Sequence, residues 1–144
     1  MSANRTYPVT FAILCASCAC ASRVDAEDKK VEAVGSWGGM LKDKKLTEMA
    51  PKKGYITSNA AWKKLWEAWR PNAKLPEVDF TKYLVLVDLG GMYPVVHELK
   101  ITDQGDLKVT PAARVPPGPG FGYGMSLIEL KAVKTIRGQA IEAD

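Results

Sequence analysis

Two hydrophobic periods divide this chain, and the switch between them marks its elements. Trp62, Leu65, Trp66 and Trp69 recur at i, i+3, i+4 and i+7, the stripe of an amphipathic helix. Ser58 or Asn59 can cap its start and Pro71 forbids its continuation, so the helix should end at Trp69 or Arg70. Lys63 and Glu67, four apart, fall on another, solvated face. Residues 83–87 are an unbroken apolar run, as expected of a central strand covered on both faces, and Gly90-Gly91 turns the chain after it. From Val95 the period becomes two: Val95, His97, Leu99 and Ile101 share one face, Val96, Glu98, Lys100 and Thr102 the other. Asp103-Gln104-Gly105-Asp106 reads as a hairpin turn with Gly105 at positive φ, and Leu107 and Val109 carry the apolar face back.

Weaker patterns fill the rest. Residues 53–57 and 125–130 look like strands, and residues 133–136 with Ala140-Ile141 make a short final hairpin around Arg137-Gly138. Residues 71–80, with Pro71, Asn72, Pro76 and Asp79, form a turn-rich link. Residues 27–53 are a polar segment with one strand around 31–37, where Gly35, Gly38 and Gly39 argue for turns close by. Residues 115–124 mix proline and glycine so densely that no regular ladder is expected there. The pattern predicts an α+β domain over residues 54–144: a small, mostly antiparallel sheet with one Trp-rich helix packed on it.

The N-terminus is patterned differently. Arg5 precedes a run of apolar and small residues from Tyr7 to Ala21, broken by Pro8, Thr10 and Ser17, and charges resume near Arg23. A basic start, an apolar middle and small residues before a cleavage point are what a secretory signal needs, so residues 1–26 are expected to be a signal peptide. Ala19-Cys20-Ala21 and Val24-Asp25-Ala26 both fit the cleavage rule, and the second leaves the polar Glu27-Asp28-Lys29-Lys30 to open the mature chain. The apolar run falls short of the roughly 20 residues of a membrane span, so none is expected. All 3 cysteines, Cys15, Cys18 and Cys20, lie in this segment, and its removal would leave no disulfide or thiolate. Retained instead, Cys18 or Cys20 could carry a lipid anchor, though neither has an aliphatic residue three places before it. The expected location is secreted or periplasmic.

Charge and candidate chemistry narrow the function classes. The net charge of +4 is mild. Lys29-Lys30, Lys44-Lys45, Lys52-Lys53 and Lys63-Lys64 are pairs with acidic residues between them, which argues against a nucleic-acid partner. The single histidine, His97, would have to serve any Ser-His-Asp arrangement, and Gly122-Tyr123-Gly124-Met125-Ser126 has the wrong spacing for a nucleophile elbow. On the apolar face of its strand, His97 fits a satisfied core imidazole better than a catalytic one. One histidine with scattered carboxylates does not make a metal site, and no cofactor is expected. Asp79, Asp88 and Glu98 are the carboxylates near apolar surroundings, but spacing selects no pair among them.

The order of motifs resembles a known family. Ile56-Thr57-Ser58 with Ala61-Trp62-Lys63-Lys64-Leu65-Trp66, then Pro76-Glu77-Val78-Asp79-Phe80, the apolar strand with Gly90-Gly91, and the hairpin from Glu98-Leu99-Lys100-Ile101 to Leu107-Lys108-Val109 are similar to the PrcB-type protease-complex accessory domains. The resemblance covers roughly residues 54–130. It implies an exported, non-catalytic domain associated with a surface protein complex.

The leading expectation is therefore a non-catalytic, exported interaction domain whose partner is another exported protein. Pro116, Pro117, Pro119, Phe121 and Tyr123 are its expected contact residues, because prolines lower the ordering cost of a loop and aromatic rings anchor it. A rigid connector with those aromatics turned inward is the equal alternative. Two further readings are a small hydrolase or ligand-binding enzyme using His97 with Asp88 or Glu98, and a glycan-binding module presenting Trp62, Trp66 and Trp69.

Overall fold

The computed structural model describes residues 27–113 and 119–144. The expected signal peptide, its cysteines, Pro116 and Pro117 lie outside them. Helix α1 (Asn59–Trp69) begins where the Ser58 side chain accepts from the Ala61 N–H and ends where the Arg70 N–H reaches the Trp66 carbonyl. Its predicted stripe is its buried face: Trp62, Leu65, Trp66 and Trp69 are all in the core. Each indole N–H donates to a carbonyl beyond the helix, Trp62 to Pro76 at 3.1 Å, Trp66 to Ala73 at 3.0 Å and Trp69 to Leu46 at 2.8 Å. The rings thus tie the turn-rich link, and the 3-10 turn at Lys44–Met49, onto the helix. No helix among the described residues is long and apolar enough to cross a membrane.

The strands are β1 (Lys29–Val31), β2 (Gly35–Leu41), β3 (Tyr55–Ile56), β4 (Tyr83–Leu89), β5 (Val95–Ile101), β6 (Asp106–Ala113), β7 (Phe121–Glu129), β8 (Thr135–Ile136) and β9 (Gln139–Ala140). They form two sheets rather than the one expected, in orders β2-β7-β4-β3 and β1-β5-β6-β8-β9. All pairs are antiparallel except β6 with β8. The α+β character and the Trp-rich helix stand; the single sheet is corrected. Its reason is edge occupancy. β4 is flanked by β3 and β7, and β7 by β2 and β4, so the β5–β6 hairpin has no edge there to extend and packs on the face instead.

Three layers result. Val85 and Val87 of β4, with Tyr123 and Met125 of β7, meet α1; Leu84 and Leu86 of β4, with Ile128 of β7, meet Leu99 and Leu107 of the second sheet. This is why residues 83–87 are apolar without alternation. The turns also match their residues: Gly105 takes φ 86°, and Arg137-Gly138, both at positive φ, close the β8–β9 hairpin.

Glycine use departs from expectation. Gly35, Gly38 and Gly39 do not make turns; they lie in β2, paired with residues 123–127 of β7. β7 itself begins at Phe121 rather than Met125. Its Gly122 and Gly124 face the second sheet, where a Cβ would overlap the Tyr93 and Val95 carbonyls respectively. The two sheets therefore approach backbone to backbone at the start of β5. Gly124→Ala is expected to lower stability by about 1–3 kcal/mol through overpacking, measured as a reduced urea midpoint at unchanged m-value.

Candidate active site

Three polar side chains sit among the apolar ones between the two sheets. On β4 the inward positions run Leu84, Leu86, Asp88; on β7 they run Gly122, Gly124, Ser126, Ile128; on β5 they run Val95, His97, Leu99. The β4–β7 register places Ser126 opposite Leu86 and Asp88 opposite Gly124, two rungs apart and so on the same face. Because β5 lies close over the Gly124 rung, the imidazole of His97 spans the gap. Its Nδ1 is 2.7 Å from Ser126 Oγ and its Nε2 is 3.0 Å from Asp88 Oδ2. The His97 side chain is fully enclosed (0% exposed), whereas that of Asp88 is partly buried at 19%.

Arg137, presented by the β8–β9 turn, completes the chain with Nη2 2.6 Å from the same Asp88 oxygen. Burial alone would push the Asp88 carboxyl up. The hydrogen bonds from His97 and Arg137 and the guanidinium charge outweigh it and hold Asp88 below the ordinary aspartate value. An ionised Asp88 only accepts, which assigns a proton to Nε2; in the neutral ring Nδ1 is then the acceptor of the Ser126 O–H. The hydrogen bonds then run in one sense, from Ser126 to His97 to Asp88. Ser36 on β2, opposite Ser126 in the ladder, lies 3.5 Å from Ser126 Oγ.

This chain corrects the expectation of a domain without catalytic groups. A hydroxyl on a bare imidazole nitrogen, with a carboxylate fixing the other, is the arrangement that activates a nucleophile. The ring is turned round relative to the serine-protease order, with Nε2 rather than Nδ1 on the carboxylate. The expectation of an accessory, protein-binding role is set aside with it. Of the carboxylates weighed from sequence, Asp88 joins His97. Glu98 falls on the exposed outer face of β5, and Asp79 is bound to Thr81 and Lys82 in a surface turn.

Other expected site residues are placed elsewhere. Tyr123 is buried with its ring 4.8 Å from that of Trp69, and Phe121 packs against the same core, both within β7 rather than in a loop. Pro119 is exposed. Trp62, Trp66 and Trp69 have no free ring face for a sugar; Trp37, Trp62 and Trp66 pack on one another at 4.9–5.6 Å. Among the described residues, no three His, Cys, Asp or Glu side chains come together as a metal site would require. No family model, curated protein or solved structure matches the chain.

Asp88 generates a pH test. A carboxyl held below its unfolded value stabilises the fold above that value, about pH 4, and the contribution is lost as pH falls through the folded value. Asp88→Asn has no such titration. Urea midpoints at pH 7 and pH 3 are expected to differ more for the wild type than for the variant, the difference between the two drops isolating Asp88.

Proposed function

We propose that the protein is a small serine-dependent hydrolase acting on an acyl substrate, with Ser126 as nucleophile and His97 as general base, both catalytic residues. Asp88 is a positioning residue that fixes the imidazole tautomer, and Arg137 holds Asp88. The observation that carries this reading is the continuous chain Ser126 Oγ, His97 Nδ1, His97 Nε2, Asp88 Oδ2 at 2.7 and 3.0 Å. Ser126 also lines a pocket, so its hydroxyl has a side from which a substrate can arrive.

The chemistry follows from the direction of the hydrogen bonds. As Ser126 Oγ bonds to the acyl carbon, its proton passes to His97 Nδ1, and the resulting imidazolium is stabilised by Asp88. That proton then goes to the leaving group as its bond to the acyl carbon breaks. Water attacks the acyl-serine with His97 again taking a proton, which releases the acid and restores the hydroxyl. The leader-like pattern of residues 1–26 supports placing this reaction in an exported protein.

A fluorophosphonate reagent is expected to label Ser126, with the adduct located by peptide mass. His97→Ala should slow labelling at least about 100-fold, and Ser126→Ala should abolish it, with circular dichroism confirming that each variant folds. Labelling that is absent, or that maps to another residue, would refute the proposal.

A further inference from the structure

The pocket at Ser126 says what acyl group it can take. Ser126 is only 3% exposed. The pocket that reaches it is walled by Ser36 and Gly38 of β2, by Pro94, Val95 and Val96 at the start of β5, and by Met125 beside Ser126 on β7. Its volume is about 150 Å³. Walls of this kind hold no ionised group, and an acyl chain bearing a charge would be desolvated there without a partner. An apolar cavity of about that size accommodates a benzene ring and little more, so roughly six acyl carbons fill it and any longer chain has to leave through its open side.

Gly38 sets the room available. A Cβ at this position would stand 3.2 Å from the Tyr123 carbonyl and 3.6 Å from the Val95 carbonyl, in the gap between β2 and the start of β5. The residue is not at positive φ, so its backbone admits a side chain, but a Cβ that close to the Tyr123 carbonyl enters the gap only if the strands give by a few tenths of an ångström. Val96, itself 41% exposed, continues an apolar surface out of the pocket.

We infer that this pocket is the acyl-binding site, selective for short, uncharged acyl groups of up to about six carbons, with Gly38 as the specificity-determining position. The inference rests on Ser126 acting as the nucleophile. It is tested with p-nitrophenyl esters from acetate through hexanoate to decanoate, and with short- and long-chain alkyl fluorophosphonates. Wild-type kcat/KM should fall by at least about ten-fold between the short esters and decanoate, and the short fluorophosphonate should label Ser126 faster than the long one. Gly38→Ala, with circular dichroism confirming the fold, should raise the acetate-to-hexanoate ratio of kcat/KM by about ten-fold. If decanoate is turned over as readily as acetate, and Ser126→Ala abolishes both, the pocket inference is overturned while the nucleophile stands. If neither fluorophosphonate labels Ser126 and no ester is cleaved in a Ser126-dependent way, the nucleophile assignment falls and the acyl pocket falls with it.

Discussion

Sheets that pack face to face normally lie about 10 Å apart, separated by interdigitated side chains. Here that spacing is abandoned at one end, where the main chain of residues 93–95 rests directly on Gly122 and Gly124. Gly90 and Gly91 extend the β4–β7 ladder with main-chain hydrogen bonds to Gly122 at 2.8 and 2.7 Å, which anchors the turn that leads into residues 93–95. The rest of the site depends on this approach. At ordinary spacing a single imidazole on β5 would not reach two groups on adjacent strands of the other sheet. At this spacing it reaches both at hydrogen-bond distance. The three missing side chains at positions 90, 122 and 124 are thus as much a part of the site as the three that are present.

Placing polar groups between two apolar faces costs desolvation unless each is paired. The chain from Arg137 to Ser126 meets that condition: both imidazole nitrogens have partners, and Asp88 has two donors. Among the described residues, the buried side-chain atom without a partner is elsewhere, the Nε of Arg70, whose guanidinium lies over the Trp66 ring. Apart from that atom, the layer on the other side of β4 and β7 is built mainly from apolar groups. There the polar atoms of three indoles are turned outward to backbone carbonyls, and their rings supply apolar area. One central pair of strands therefore carries a structural face and a chemical face.

Local patterns were legible where one residue type decides the outcome. Pro71 and Ser58 bounded the helix, the two-residue period placed His97 inward, and Gly105 and Arg137-Gly138 closed their turns. Asp88 and His97 were both visible as candidates, because each is a polar residue ending or interrupting an apolar face. Ser126 was not singled out, although it sits on the alternation Gly124, Ser126, Ile128 that a strand starting at Phe121 would reveal. The dense glycine content just before it suggested a loop through Gly124 and so hid that alternation, since glycine is read as a turn residue when its use is close approach. The pairing of β2 with β7, some 90 residues apart, and the stacking of β5 over both are long-range outcomes that no local window contains.

The chain of hydrogen bonds joins two separate openings. Asp88 and Arg137 line a cleft of about 390 Å³ with Lys53, Tyr55 and Gln139, whereas Ser126 lines the small acyl pocket, and the two share no residue. His97 is the enclosed link between them. The carboxylate end of the chain therefore meets bulk solvent through one opening, while substrate and the water that hydrolyses the acyl-serine come to the Ser126 end through the other. Screening of Asp88 by solvent and occupancy of the acyl pocket are thus separate variables, acting on the same imidazole from opposite ends.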